Sequence, residues 1–377
     1  MVLEAGIDVG HTIRDWAHVR LFTDWRSVVD PAAAGLLEAS GWVAPPAGEF
    51  PTGGELVDRY LEPLGAILAD HIRFGHKVIA ISRRDRDKMV TDGRYDLPFL
   101  VRVELADRVV DLTADNVIDA SGTWSTPNPM GAAGLPAIGE DKTVNIRYGI
   151  PDVLGRERSR YAVKKVLVVG AGHSAANVLL DLAELALEEP ETTPMWALRR
   201  PDASKAYGAM EEDELPERGK VGLELRHRVE AGRIELVTDF RVTRVNKREG
   251  RVSVVGSGAD GSERAIEVDE IVVATGQRPD LSITRELRLE LDPWLEAPIR
   301  LAPLIDPNVH TCLTVPPHGV EQLSHPESDF YSVGIKSYGR APTFLMATGY
   351  KQVESVVATI ASSYFGPSVD QENRSIE

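Results

Sequence analysis

Residues 164–189 read KKVLVVGAGHSAANVLLDLAELALEE and run from strand to glycine turn to helix without a break. Val166 to Val169 form a continuous apolar run, as a buried strand requires. Beyond the glycines the period changes: Ala175, Val178, Leu179, Leu182 and Leu185 recur at helical spacing, which predicts a helix with one apolar stripe. A second apolar run, Met195–Leu198, predicts the next strand. A βαβ unit needs a sheet to lie in and opens a crevice at the strand ends, so the chain falls among the α/β folds.

The turn itself is Gly170-Ala171-Gly172-His173-Ser174-Ala175, a GxGxxA pattern. Gly170 permits the tight turn, Gly172 lets backbone N–H groups approach a pyrophosphate, and the small Ala175 lets helix and strand pack closely. The helix N-terminus, at His173 and Ser174, turns its positive dipole end toward the anion. The pattern alone also fits a tight turn in any doubly wound sheet; strand, turn, helix and strand together point to dinucleotide binding. An NAD site places Asp or Glu after the second strand, whereas this chain has Arg199 and Arg200, two cations where a 2′-phosphate would sit. The expectation is NADPH, the alternative being cations that merely solvate a strand end.

The chain has 377 residues, enough for two medium domains with separate cores. Short β-rich runs at Lys77–Ile81, Phe99–Glu104 and Asn116–Ala120 predict strands, with a turn at Thr91-Asp92-Gly93. The Pro/Gly-rich stretch from Ser121 to Gly139 reads as a crossover between domains. Further strands are predicted at Ile234–Thr238, Arg251–Val255 and Glu270–Ala274, then a loop-like segment from Asp280 to Pro317, a strand at Phe330–Val333 and a helix from about Thr348 to Ser363. A formal charge of −16 argues against a polyanionic partner such as nucleic acid, and no apolar run is long enough for a membrane span. One cysteine, Cys312, and no secretory signal pattern point to a reducing cytoplasm.

With these residues in hand, the chain resembles the two-dinucleotide-domain flavoproteins, specifically the flavin-containing and Baeyer–Villiger-like monooxygenase group. GAGHSA is similar to that family's NADPH turn, and DASGTWSTPNP (Asp119–Pro129) to its first crossover. DEIVVATGQRPD (Asp269–Asp280), with Thr275 and Gly276, is similar to the second crossover, and the segment Asp329–Val357 to the closing FAD segment. The resemblance implies an α/β fold with two Rossmann-like domains, the NADPH domain (156–284) inserted into an FAD domain built from 1–155 and 285–377. FAD and NADPH are the implied cofactors.

The same resemblance places Glu4 at the end of the FAD domain's second strand, as the ribose-binding acid. The glycine turn that normally precedes such an acid by about 20 residues is absent between Met1 and Glu4. The FAD domain is therefore expected to be N-terminally incomplete, with a strand and glycine turn belonging before Met1. Candidate catalytic residues are Arg20 and Trp25, implied to lie beside the flavin ring with a solvated cation and a core aromatic as the equal alternative, and Tyr338 and Arg340. Gly334, followed by Ile335 where many relatives place Asp, and the helix start at Thr348 and Gly349 are implied flavin contacts. The lone cysteine argues against an internal dithiol–disulfide exchange, and no His/Cys spacing suggests a metal site.

The implied activity is NADPH-driven reduction of FAD followed by reaction with O2 to oxygenate a small organic substrate. A reductase of a quinone or protein acceptor, and a non-catalytic NADPH-binding protein, are the alternatives.

Overall fold

The computed structural model describes residues 1–248, 250–310, 315, 318–342 and 344–365. Cys312 and the end of the proline-rich segment at Pro317 lie outside them. The strands are β1 (Val2–Leu3), β2 (Ile72–Arg73), β3 (Lys77–Arg83), β4 (Phe99–Glu104), β5 (Val109–Ala114), β6 (Val117–Asp119), β7 (Ile146–Tyr148) and β8 (Lys165–Val169). They continue with β9 (Thr193–Ala197), β10 (Glu235–Val237), β11 (Arg241–Arg248), β12 (Arg251–Ser257), β13 (Glu263–Val268), β14 (Glu270–Val273) and β15 (Phe330–Ser332). The longer helices are α1 (Pro31–Ala39), α2 (His173–Glu188), α3 (Pro216–Glu230) and α4 (Met346–Phe365).

The central sheet is parallel throughout, in the order β10-β9-β8-β14-β7. Alternation along β8 sorts its side chains into two cores. Val166 and Val168 pack with Ala175, Val178, Leu179 and Leu182 of α2. Leu167 and Val169 face the antiparallel sheet β11-β12-β13, meeting Val242, Val245, Val252 and Val254. This half is therefore three layers, helix, parallel sheet and antiparallel sheet, and its apolar run is continuous because both faces of β8 are covered. Leu182 is fully buried, so Leu182→Ala removes a contact worth about 2–5 kcal/mol.

The remainder builds around the antiparallel meander β3-β4-β5 and two parallel pairs, β1-β2 and β15-β6. Among the described residues β1 has one strand neighbour, β2, and its Val2 is 54% exposed. The meander packs its apolar face on Leu287 and Phe330. Glu327 ties this region together: it is buried against Arg83 Nε at 2.8 Å and Arg94 Nη2 at 2.8 Å, and it accepts from Arg288 N at 2.9 Å.

The stretch after β6 is irregular as its prolines and glycines require, yet it is held by one buried acid. Glu140 accepts from Met130 N at 2.9 Å, from Ala137 N at 2.6 Å and from the Tyr148 hydroxyl. Burial, with the Glu140 carboxylate beside it, drives the Tyr148 hydroxyl well above the ordinary phenol range.

Candidate functional site

The Gly170 turn sits where the strand order reverses, between β8 and β14, at their carboxyl ends, which is where open α/β sheets form a ligand crevice. Gly170 has φ +148, and a Cβ built on it would collide with the carbonyl oxygen of Ala274 and touch the Ala175 Cβ at 3.4 Å. Its own carbonyl accepts from Trp196 Nε1 at 2.7 Å. Gly172 differs: its φ is −100, and a Cβ there would meet nothing within 4 Å. Space opens over the second glycine, against the start of α2. Gly172 caps that helix without a side-chain hydrogen bond, so its first-turn N–H groups face the crevice uncapped by a side chain.

Beside the turn lies a cavity of about 150 Å³ lined by Ala171, Leu198, Arg199, Arg200, Asp202, Lys205 and Ala206. Asp202 partly offsets these cations, since its charge interacts with Arg200 and Lys205. Its carboxylate accepts from Ser204 N at 2.9 Å and from the Ser204 hydroxyl, and these bonds hold it below the ordinary carboxylate range. Sequence reasoning missed Lys205, which reaches the cavity from a single 3-10 turn, Ser204–Tyr207. His173, at the first turn of α2, meets the Phe22 ring edge-on at 5.2 Å. Burial holds its imidazole below the usual value, and Arg218 pushes in the same direction. Arg218 is itself gripped by Asp213 through three hydrogen bonds of 2.8–3.0 Å.

Thr275 and Gly276 stand at the end of β14, but their polar groups serve the connection between the two halves. The Thr275 hydroxyl donates to Asn128 O at 2.6 Å, and Gly276 O accepts from Asn128 N at 2.9 Å. Asn128 Nδ2 also reaches Thr275 O, and Arg278 Nε donates to Asn128 Oδ1 at 2.8 Å. Together these bonds form a staple joining the two crossovers.

Trp25 is 2% exposed and packs with Val28, Leu37, Leu56 and Tyr60 in a closed core, beneath the guanidinium of Arg59. Arg20 is exposed, donates to Phe50 O and lies 3.9 Å from Glu55. The N–H groups of Thr348 and Gly349 are spent on Leu345 O, because α4 begins at Met346, and a Cβ on Gly349 would press on Phe344 at 2.8 Å. Tyr338 is buried edge-on against Phe344 at 4.9 Å, which pushes its hydroxyl up to about 12, while Arg340 is exposed. The structure thus does not gather Arg20, Trp25, Tyr338 and Arg340 into one site.

Glu4 ends β1 half-buried, its carboxylate oriented by Gly6 N at 2.6 Å. Gly334, φ +67, opens the turn after β15 with nothing within 4 Å of a Cβ built on it, and its N–H is held by the buried Gln352 Oε1 at 2.8 Å. Among the described residues no cluster of His, Cys, Asp and Glu is placed to hold a metal, and no helix is long and apolar enough to cross a membrane.

The sequence pattern of the pyridine nucleotide-disulphide oxidoreductase family matches residues 64–299. Among solved structures, the bacillithiol disulfide reductase Bdr (YpdA) of Bacillus cereus overlays with TM-score 0.70 at 16% identity, covering 96% of this chain and 91% of that one. The ornithine N-hydroxylase KtzI of Kutzneria sp. 744 gives 0.58 at 16% identity, over 95% and 91%. The thioredoxin reductase of T. acidophilum gives 0.53 at 14% identity, over 96% and 97%. At such identities the likeness shows a shared fold. No curated protein matches by sequence.

Proposed function

Since the chain belongs to the pyridine nucleotide-disulphide oxidoreductase family and is an FAD- and NAD(P)H-dependent oxidoreductase, we propose that NADPH is its electron donor and O2 its acceptor, with oxygenation of a small organic substrate. The overall balance would be NADPH, a proton, O2 and substrate giving NADP⁺, water and oxygenated substrate. In this reading residues 156–284, with β7 (Ile146–Tyr148) added at the edge of their sheet, form the NADPH unit, and the rest of 1–155 with 285–377 the flavin unit.

The observation that carries NADPH is the cavity of Arg199, Arg200 and Lys205 beside an open Gly172. A 2′-phosphate would be held by those three cations, the Asp202 carboxylate that lines the same cavity being fixed by Ser204. The diphosphate would lie against the N–H groups opening α2, and the tight Gly170–Ala274 contact keeps that helix start close to the sheet. The neutral His173 and the Phe22 ring would wall the cleft and keep water from the nicotinamide.

A flavin nucleotide fits the residues present at two places: Glu4 at the end of β1, suited to a ribose hydroxyl, and the open Gly334 turn, fixed by Gln352. Among the described residues the strand–glycine–helix turn that could cradle a diphosphate is the one at Gly170, already assigned to NADPH. When bound, flavin supplies a two-electron acceptor for nicotinamide hydride and a donor to O2. Oxygenation is preferred to internal dithiol chemistry because the sequence holds one cysteine.

Oxygen uptake on NADPH addition, measured with peroxide release across a panel of small amines, thioethers and ketones, tests this reading. A substrate that lowers peroxide release while an oxygenated product accumulates is the expected result. Peroxide release unaffected by every compound, with rapid electron transfer to added quinone, would replace oxygenation by a reductase.

A further inference from the structure

Both connections between the two halves converge on one buried lysine. Lys336, 3% exposed, follows β15, yet its ammonium reaches three other segments: Asp119 Oδ2 at 3.2 Å at the end of β6, Ser121 Oγ at 2.9 Å where the first connection begins, and Asp280 O at 2.8 Å where the second ends. Asp119, 6% exposed, also accepts from Ser121 N at 3.0 Å, so the acid and the start of the first connection move together. At the other end Asn128 staples the same two connections through Thr275, Gly276, Gln277 and Arg278. The two connections are thus fastened twice, at Asn128 toward the NADPH side and at Lys336 toward the flavin side.

We propose that Lys336 is a positioning residue: by clamping both connections to one ammonium group it fixes the orientation of the NADPH unit relative to the flavin unit. This rests on the two-unit reading above. A buried charge among polar partners is a poor source of stability compared with a well-packed apolar side chain, but its directional donors specify a geometry that an apolar side chain would not. The ammonium donates to Ser121 Oγ and Asp280 O and pairs its charge with Asp119, which suits a three-way junction; a methionine of similar length would fill the space and release both connections.

The test places spin labels on the two units through Asp107→Cys and Glu191→Cys, both at exposed sites, in a Cys312→Ser background. Pulsed dipolar spectroscopy then reads the distance distribution. Lys336→Met is compared with the double change Asp119→Asn/Lys336→Met, which leaves no orphaned carboxylate should the single variant fail to fold. The expected result is a broadened distribution, narrowed again in Lys336→Arg, with the NADPH dissociation constant within about twofold of the parent because none of the residues lining the cavity is a partner of Lys336. Flavin reduction by NADPH should slow by about ten- to a hundredfold, since misplacement of the reacting groups is costly. A double variant that is folded and has the parent's narrow distribution overturns the proposal, even if its Tm falls. If the parent itself does not bind NADPH, the functional reading fails, and the width of the distribution still decides the clamp.

Discussion

Gly170 and Ala274 meet through backbone alone: the carbonyl oxygen of Ala274 occupies the place where any side chain at position 170 would begin. This contact joins the ends of β8 and β14 at the point where the sheet reverses its strand order. It explains why a strand, a turn and a helix can be packed so closely around the crevice proposed for NADPH.

Gly170→Ala should therefore lose about 1–3 kcal/mol of stability from backbone strain and overpacking, and NADPH binding with it. Gly172→Ala separates the two effects. Its added Cβ meets no protein atom within 4 Å, so Tm should hold while NADPH binding weakens, because the Cβ points into the space assigned to the diphosphate. Thermal melting and NADPH titration on both variants check this; a stable Gly172→Ala protein with unchanged affinity would remove the diphosphate from that position.

Replacing Arg199, Arg200 and Lys205 together with Ala should raise KM for NADPH by a hundredfold or so, at about 1.5–3 kcal/mol for each charged hydrogen bond discounted for exposure. KM for NADH should change by about twofold at most, since it lacks the phosphate these cations meet. Steady-state kinetics with both donors distinguish this from a general loss of binding.

Glu327 carries a structural rather than a catalytic load. Burial alone pushes its carboxyl up, but hydrogen bonds from Arg94 and Arg83 outweigh burial and hold it below the ordinary value. Glu327→Gln leaves two guanidinium groups, at 2% and 0% side-chain exposure, without a counter-charge. A loss of about 3–5 kcal/mol is expected in denaturant unfolding, with NADPH affinity preserved in the folded fraction.

His325 gives the fold an acid-sensitive point. Burial pushes its imidazole down to about 4, and its Nδ1 accepts from Glu290 N at 3.3 Å, an arrangement available to the neutral ring. The unfolded chain takes up a proton near the ordinary histidine value, about 6.5, and the folded chain does not. Between those values stability falls as pH falls, by at most about 1.4 kcal/mol per pH unit from this one group. Comparing the pH dependence of unfolding in the parent and in His325→Gln should show a shallower slope in the variant over that window; identical slopes would assign the sensitivity elsewhere.

The NADPH half was readable because its signals are local: an uninterrupted apolar run, two glycines, then a helical period over residues 166–185. α3 escaped the same reasoning. Its buried face combines Leu225, flanked by Val221 and Val229, with Gly219 and Gly222, where the backbone passes too close to the carbonyls of Met210 and Tyr207 for a Cβ, so its apolar stripe is short and interrupted by glycines. Trp25 was left open between pocket and core because a sequence does not distinguish an aromatic residue lining a pocket from one closed into a core by residues 28–60. Lys336 could not be placed at all: its hydrogen-bond partners lie 215 and 56 positions away, and a buried lysine declares itself only when the chain is folded. The start of α4 was set two residues late because Leu345, at its head, carries none of the side chains that mark a helix N-terminus.

The central claim is that this chain passes electrons from NADPH to flavin. Anaerobic mixing of the FAD-supplemented protein with NADPH or with NADH, following the flavin absorbance, tests it most directly. The account predicts rapid bleaching with NADPH and much slower bleaching with NADH at equal concentration. A flavin signal unchanged by either donor would contradict it.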